Sequence, residues 1–163
     1  MITSANTSVN KNRVPALFKM VEWEPGTMNV DYGAGKWDTA ADYLKTQHVI
    51  NFSIDPYNRT EQENIDAMEW VACCGGVDTV TCSNVLNVIP TARERYECIF
   101  ECWRLLKYGG TAYFTVYEGD RSGVGRKTGK DQWQENRRTA DYIREISTVF
   151  PTVWRQGKLI IAK

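Results

Sequence analysis

The sequence has few of the side chains that commonly bind metal ions. It contains one histidine, and its five cysteines include no Cys-x-x-Cys pair. A site built from four cysteine and histidine ligands is therefore not expected, and no metal centre is predicted. The odd number of cysteines suits free thiols, which indicates a reducing, cytoplasmic setting.

Excess charge and long apolar runs are also lacking. Lysine plus arginine equals aspartate plus glutamate at 20 each, so no overall basic field is available to hold nucleic acid non-specifically. We find no signal peptide, no internal repeat and no apolar run long enough to cross a bilayer, so no membrane partner is expected. The 163 residues, 12% of them aromatic, predict one globular domain over 1–163, in which residues 1–11 are polar and loose.

A glycine-rich turn is the feature around which the chain is organised. Apolar residues lead into Asp31 like the end of a buried strand, and Gly33 and Gly35 follow with only Ala34 between them. Neither glycine carries a Cβ and both tolerate positive φ, so the backbone can approach a ligand closely. A helix is predicted from Asp38 to Leu44. Strand, Gly-x-Gly turn and helix form the layout that holds nucleotide cofactors, although an ordinary βα loop has the same composition.

A second strand is predicted from His48 to Asp55, in a central position because its residues are mostly apolar. Asp55 lies about 20 residues after Gly35, the distance at which a dinucleotide-type site places an acid on a ribose diol. The alternative is that Asp55-Pro56 only starts a turn.

The segment after Asp55 is predicted to be helical, so the usual third strand of such a sheet is expected to be missing or very short. Thr60 to Glu63 form a capping-box pattern, so a helix should begin near Glu61 and place Ile65, Met68, Val71 and Ala72 on its inner face. An alternative makes Met68–Cys74 a strand and places Asp66 near the base of a cofactor.

The remaining elements predict a three-layer, doubly wound, Rossmann-like α/β sheet, mostly parallel with a C-terminal antiparallel hairpin. Asn84 and Asn87 follow a strand over 77–83, at the edge where open α/β sheets bind ligands. The later elements are a helix over 90–106 with Ile99, Cys102, Trp103 and Leu106 inward, a glycine stop at Lys107–Gly110, a strand over 111–117, a helix over 132–150, and a hairpin turning at Gln156-Gly157.

The segment Glu118–Asp131 is polar and rich in glycine. A P-loop would need a glycine at Val124 and a hydroxyl residue at Asp131, so that motif is excluded. A lid or acceptor-binding loop is predicted, with a plain solvated loop as the alternative. Its cations outnumber its aspartates and predict a local basic face; they are Arg121, Arg126, Lys127 and Lys130, against Asp120 and Asp131.

These motifs, over about residues 27–163, resemble the class I S-adenosylmethionine-dependent methyltransferases. The resemblance lies in Val30–Gly35, Ile54-Asp55, Asp78–Leu86 and Leu106–Phe114. It implies a chain that binds S-adenosylmethionine and transfers its methyl group, with Asp31 and the Gly33–Gly35 turn at the methionine part and Asp55 at the ribose. The predicted cofactor-binding residues are Asp31, Tyr32, Gly33, Ala34, Gly35, Asp55 and Asn84; the predicted substrate-binding residues are Asn87, Tyr117, Arg121 and Arg126; no catalytic residue is predicted.

The sequence departs from the family pattern at Trp37, which stands where a third glycine is usual and is expected to crowd the site. No acid of a third strand and no acceptor domain are evident. Ser83–Pro90 is similar to methyltransferase-like proteins found beside bacterial DNA-modification systems, which favours a nucleic-acid acceptor over a small molecule. The alternatives are a non-catalytic cofactor-binding subunit, with a protein partner supplying acceptor recognition, and an NAD enzyme, which the missing third glycine disfavours.

Overall fold

A computed structural model describes residues 2–5 and 11–163 of the chain. Of the segment 1–11 that was predicted to be loose, residues 1 and 6–10 lie outside the described residues. Residues 2–5 differ from the prediction, because the backbone N–H of Ser4 donates to the carbonyl oxygen of Asp131 at 2.8 Å. A second bond runs from Ser4 Oγ to the carbonyl oxygen of Val88 at 3.1 Å, so this piece is held against the domain.

The described residues form helices and strands in an alternating order that builds one main sheet. The helices are α1 (Ala16–Met20), α2 (Thr39–Thr46), α3 (Glu61–Cys73), α4 (Ala92–Arg104) and α5 (Ile143–Ile146). The strands are β1 (Met28–Tyr32), β2 (Ile50–Ile54), β3 (Val77–Ser83), β4 (Leu106–Thr115), β5 (Arg126–Gly129), β6 (Gln132–Gln134), β7 (Val153–Gln156) and β8 (Leu159–Ala162).

The main sheet has the strand order β2-β1-β3-β4-β8-β7. Strands β2, β1, β3 and β4 are parallel, and β8 joins β4 antiparallel and continues into β7 as a hairpin. The predicted fold class and terminal hairpin are therefore confirmed. The chain winds from β1 outward to β2, returns through α3, and adds β3 on the other side of β1.

Strand β2 lies at the edge of the sheet, and the predicted central position is wrong. In the described part of the chain no further strand pairs with it, because α3 leads directly from β2 to β3. The missing third strand is confirmed, and the alternative strand over Met68–Cys74 is wrong. The apolar residues of β2 misled the prediction because helices contact both of its faces, α3 on one and α2 on the other, although its outer edge has no partner strand among the described residues and Ile50 is 55% exposed.

Helix α3 begins with the predicted capping box. Thr60 Oγ1 accepts from the backbone N–H of Glu63, and the Glu63 carboxylate accepts from the backbone N–H of Thr60. Of the four residues predicted on its inner face only Val71 is buried, whereas Ile65, Met68 and Ala72 are exposed. The buried positions are Ala67 and Val71, one helical turn apart, which pack into the apolar cluster on that face of the sheet.

Helix α4 also differs from its prediction at its C-terminal end. Cys98, Ile99 and Cys102 point inward, but Trp103 is exposed. The predicted glycine stop at Lys107–Gly110 is wrong, since these residues already belong to β4. The glycines there lie in an exposed part of the strand, where the register with β3 shifts.

The glycine-rich segment is partly ordered as an antiparallel hairpin of β5 and β6. The predicted helix over 132–150 is reduced to a 3-10 turn, Thr139–Tyr142, and the short α5. Residues 135–138 form neither helix nor strand, and within them Glu135 and Asn136 are buried, with side chains that bind Arg95 and the carbonyl oxygen of Val124.

Two apolar clusters make the three layers. One joins the sheet to α3, α4 and α5, around Val80, Ile99 and Phe114. The other joins the opposite face to α1 and α2, around Phe18 and Leu44. Among the described residues, no helix is both long and apolar enough to span a bilayer.

Candidate functional site

A cleft opens where the winding direction of the sheet changes, between the carboxyl ends of β1 and β3. Strand β2 lies on one side of β1 and β3 on the other, so the loops after β1 and β3 diverge there. Open α/β sheets bind their ligands at such a point. The cleft has a volume of about 510 Å³ and is lined by the Asp31–Gly35 turn, by residues 55–58 after β2 and by residues 83–85 after β3.

The glycine turn allows close packing of the backbone against the loop after β3. Gly33 has φ 78° and Gly35 has φ 69°, both in the left-handed region. A Cβ at Gly33 would overlap the Cγ2 atom of Val85. The N–H groups of Gly33 and Ala34 donate to the carbonyl oxygen of Ile54, at 2.8 and 3.2 Å. The turn is thus fastened to the end of β2 with its outer surface in the cleft.

Asp55 fastens the same turn from β2 and is 5% exposed. Its Oδ2 accepts from the N–H of Gly35 at 2.8 Å. Its Oδ1 accepts from the N–H groups of Tyr57 and Asn58, both at 2.9 Å. The Asn58 amide adds a contact of 3.2 Å to each oxygen, so protein donors already bind both oxygens of the carboxylate.

Arg59 locks the outer side of the turn and was not singled out by the sequence. Its Nε donates to the carbonyl oxygen of Gly35 at 2.8 Å. One of its terminal nitrogens lies 2.8 Å from Asp38 Oδ1 and also reaches the carbonyl oxygen of Trp37, at 3.3 Å. Asp38 therefore anchors Arg59 instead of capping α2, where its side chain makes no capping bond.

Asp31 is 4% exposed and lines the floor of the cleft. Burial raises the pKa of its carboxyl to about 7, and the nearby charge of Asp55 acts in the same direction. A hydrogen bond from Thr81 Oγ1, 3.1 Å from Asp31 Oδ1, and the charge of Arg59 oppose this pKa shift. Asp31 can therefore gain or lose a proton near neutral pH.

All seven predicted cofactor-binding residues line this one cleft; they are Asp31, Tyr32, Gly33, Ala34, Gly35, Asp55 and Asn84. Trp37 does not line it, which corrects the expected crowding. The Trp37 ring instead lies under the ammonium groups of Lys11 and Lys36, at 5.2 and 5.3 Å from its centroid.

The four predicted substrate-binding residues lie outside the cleft lining. Asn87 is 2% exposed, and its amide joins the 3-10 turn Leu86–Val88 to Gln134 and to the backbone of Tyr117. Tyr117 is 63% exposed. Arg121 pairs with Glu118 at 2.8 Å, and Arg126 pairs with Asp120 at 3.2 Å. The basic face is therefore weaker than predicted, since carboxylates of the same segment bind two of its four cations.

Several cleft residues have no local sequence signal. Ile2, Thr3 and Ser4 enter from the N-terminus, and Glu94, Glu97 and Glu101 recur along one side of α4. The spacing of the three glutamates reads as a solvated helix face. Only the packing of α4 beside the turn after β1 brings that face to the cleft.

The ionisable carboxylates of the lining have no basic counterpart within it. Among residues 2–5 and 11–163, Asp31, Asp55 and the three glutamates of α4 line the cleft, and no lysine or arginine does. Arg93 and Arg104 pair with Glu97 and Glu101 from outside the lining. A ligand with positive charge is favoured here over one with phosphate groups.

No protein-family model matches the sequence, and no curated protein matches it either. Solved structures do match. A proposed O-methyltransferase of Nostoc punctiforme has a TM-score of 0.61 and 13% identity, over 90% of this chain and 54% of that one. The chain therefore spans about half the length of the Nostoc protein.

Two further structures match at similar levels. The 1,6-didemethyltoxoflavin-N1-methyltransferase of Burkholderia thailandensis, with bound 1,6-didemethyltoxoflavin and S-adenosylhomocysteine, has a TM-score of 0.59 and 15% identity, over 85% of this chain and 71% of that one. A complex between the Haloferax volcanii Trm112 methyltransferase activator and a proposed methyltransferase matches with a TM-score of 0.58 and 17% identity, over 86% of this chain and 68% of that one. The chain thus has the Rossmann-like fold of the class I S-adenosylmethionine-dependent methyltransferases.

Proposed function

We propose that this protein is an S-adenosylmethionine-dependent methyltransferase that binds its cofactor in the cleft between β1 and β3. The observation that carries the proposal is the convergence of all seven predicted cofactor residues on this cleft. The cleft lies where the winding direction of the sheet changes, and the sheet has the fold of such enzymes. The bound cofactor would supply a methyl group on a sulfonium, which an acceptor takes while the sulfur keeps the bonding electrons.

The residues of the chain would act mainly by positioning. The Gly33–Gly35 backbone offers a close approach, and Asp31 offers a buried carboxylate to the positively charged part of the cofactor. Asp55 and Arg59 would hold the shape of the turn through their bonds to Gly35. Methyl transfer depends chiefly on aligning acceptor and methyl group, so the proposal requires no covalent intermediate with a residue of the chain.

We further propose that Asp55 shapes the turn more than it holds the ribose. Backbone and side-chain donors engage both of its oxygens, as the turn-starter alternative expects. A ribose diol would have to displace the Asn58 amide, whose two contacts of 3.2 Å are the longest that the carboxylate accepts.

For the acceptor, we favour a small neutral or cationic molecule over nucleic acid. The carboxylates that line the cleft repel phosphates, and the predicted acceptor cations Arg121 and Arg126 are paired outside it. A nucleic-acid acceptor would rest on Lys127 and Lys130 of the outer hairpin. The predicted cytoplasmic setting suits either acceptor.

A non-catalytic subunit is the second candidate. The chain is short beside the Nostoc protein, and the Haloferax structure pairs a methyltransferase with an activator. A partner would then supply acceptor recognition, since the predicted acceptor residues of this chain lie outside the cleft lining.

Calorimetric titration with S-adenosylmethionine, S-adenosylhomocysteine and NAD tests the proposal. We expect one S-adenosylmethionine per chain and no heat from NAD. Heat from NAD alone would overturn the proposal. Cofactor binding without turnover of any small acceptor, with turnover restored by a co-purified protein, would favour the second candidate.

A further inference from the structure

Three buried cysteines meet at the inner wall of the cleft. Cys82 belongs to β3, and Cys98 and Cys102 lie one turn apart on α4. Their Sγ atoms all lie within 4.8 Å of one another. Cys82 and Cys102 are 0% exposed, and Cys98 is 7% exposed and lines the cleft. The other two cysteines of the chain, Cys73 and Cys74, are exposed at the end of α3.

We propose that Cys82, Cys98 and Cys102 form a binding site for one divalent, thiophilic metal ion of the zinc class. Three thiolates at the usual zinc–sulfur distance of about 2.3 Å are separated from one another by roughly 3.8–4.0 Å. The three sulfur atoms, within 4.8 Å, therefore need to contract by less than about 1 Å to share an ion. Rotations of the cysteine side chains supply such a movement without moving the backbone.

The ligands lie on two rigid elements, which is the arrangement that holds a metal site in place. The spacing of four residues puts Cys98 and Cys102 on the same face of α4, and that face packs on β3. The sequence analysis predicted no metal centre because the third thiol, that of Cys82, belongs to a strand that is separate from α4 in the chain. With three protein ligands the ion keeps a fourth position, as catalytic zinc sites do.

The cleft provides an entry path for a cation. Cys98 lies on its wall beside three glutamates of the same helix. Glu97 and Glu101 are paired with Arg93 and Arg104, so Glu94 is the carboxylate that attracts a cation to the mouth. Binding breaks three S–H bonds, forms three metal–sulfur bonds and releases three protons to the buffer, with no change in oxidation state. Ordinary packing of three small apolar thiols is the competing explanation, and it predicts no metal affinity.

The test uses Cd²⁺ as the probe, because its thiolate bonds give an ultraviolet charge-transfer absorption. The protein that is titrated carries Cys73→Ser and Cys74→Ser, which remove the exposed thiols. We expect this chain to bind one Cd²⁺ with that absorption. Adding Cys98→Ser should remove the absorption and weaken binding by at least about 100-fold, since even the loss of outer partners of a metal ligand costs 10- to 100-fold.

A second measurement needs no substitution in the cluster. In the unmodified chain, peptide mapping measures how much iodoacetamide modifies each cysteine. Added Cd²⁺ should reduce the modification of Cys98. The exposed thiols of Cys73 and Cys74 should bind Cd²⁺ only weakly and stay reactive. Absence of protection at Cys98, or an absorption that survives Cys98→Ser, would overturn the proposal. Neither readout uses the cofactor, so the result is independent of the proposed methyl transfer.

Discussion

Two regions of this molecule contain the same types of residue, but the pKa of a carboxyl group is raised in one region and lowered in the other. The turn region, Asp31–Gly35 with Asp55–Arg59, and the hairpin region, Glu118–Asn136, each combine glycines, carboxylates and arginines. In the turn region, burial raises the pKa of Asp31 to about 7. In the hairpin region, the pKa of Glu118 is lowered to about 2, because it accepts hydrogen bonds from the backbone N–H and the hydroxyl of Thr139.

The difference shows which region can bind a charged ligand. Glu118 is satisfied by Thr139 and by the nearby charges of Arg121 and Lys158, so it stabilises the fold and has nothing to offer a ligand. Asp31 receives one hydroxyl and is otherwise buried, so a positive charge in the cleft would be a better partner than any it has now. The cleft thus keeps one incompletely paired carboxyl, Asp31, whereas Glu118 is already paired with Arg121 of its own region and with Thr139 and Lys158 beyond it.

The largest expected effect is that of Arg95→Ala, which disrupts the ion pairs joining α4 to Glu145 of α5 and to Glu135 of the hairpin region. Arg95 is 5% exposed and binds both oxygens of Glu145, at 2.8 and 3.0 Å, and the carbonyl oxygen of Ile89 at 2.9 Å. Its Nη1 also lies 3.5 Å from the buried Glu135. Arg137 also pairs with Glu145 at 3.0 Å and lies 3.8 Å from Glu135, so the Arg95 variant leaves these two carboxylates with one arginine instead of two. The free energy of unfolding should then fall by about 3 kcal/mol in urea denaturation, the lower end of the range for breaking a buried pair.

Arg93→Ala is the matched control on the same helix. Arg93 pairs with Glu97 at 3.0 Å, but its side chain is 88% exposed. Such a pair contributes about 0.5 kcal/mol or less. Equal losses for the two variants would mean that the buried ion pairs of Arg95 stabilise the fold no more than an exposed pair does.

The next effect is the pH dependence of the turn region. The pKa of Asp31 is raised from 3.8 to about 7, so folding favours the protonated carboxyl. Its stabilising contribution is complete below pH 3.8 and is lost as the pH rises to about 7. A shift of this size corresponds to at most about 4 kcal/mol. Asp31→Asn should therefore flatten the fall in unfolding free energy over that range, measured by denaturation at several pH values.

Cofactor binding sharpens the same prediction. A cation beside Asp31 favours its ionised form, so S-adenosylmethionine affinity should rise with pH as Asp31 loses its proton, by at most about tenfold per pH unit. Asp31→Asn should remove this rise. An unchanged pH profile of affinity in the variant would exclude Asp31 from contact with the charged part of the cofactor.

The sequence predicted the turn region well because its signals are local. Asp31, the two glycines and Asp55 lie at strand ends, and the parallel strands bring their carboxyl ends to one edge of the sheet. The capping box of α3 is equally local. Arg59 was not predicted as a site residue because a single arginine after a turn belongs to no sequence motif. Only the fold shows that it donates to the carbonyl oxygen of Gly35.

The hairpin region could not be predicted because its structure depends on distant partners. Residues 132–150 have helical composition, but Glu135 is drawn towards Arg95, and Asn136 donates to the carbonyl oxygen of Val124. Ser4 from the N-terminus accepts from the N–H of Trp133. These contacts override helix propensity in a way that no short window of sequence contains.

A smaller effect is expected from Asp55→Asn. An asparagine keeps one acceptor oxygen and places an NH₂ group against N–H donors that now bind the carboxylate. Losing charged acceptors costs about 2–3 kcal/mol, seen mainly as a lower melting temperature. If Asp55 instead holds the ribose, cofactor affinity should fall by roughly 30- to 150-fold, with little change in melting temperature. Measuring both quantities on one variant decides between the two roles.

The smallest effect compares one glycine from each region. Gly33 and Gly123 have nearly the same backbone angle, φ 78° and 79°. A Cβ at Gly33 would overlap Val85, whereas a Cβ at Gly123 would meet nothing within 4 Å.

Both Gly→Ala variants should lower the free energy of unfolding by about 1–2 kcal/mol, because alanine is strained in the left-handed region. Gly33→Ala should lose about 1 kcal/mol more, because Val85 must move, and should weaken cofactor binding, whereas Gly123→Ala should leave affinity unchanged. Denaturation and titration of both variants measure this difference. Equal stability losses with equal affinities would show that the close approach of Gly33 to Val85 does not shape the cleft.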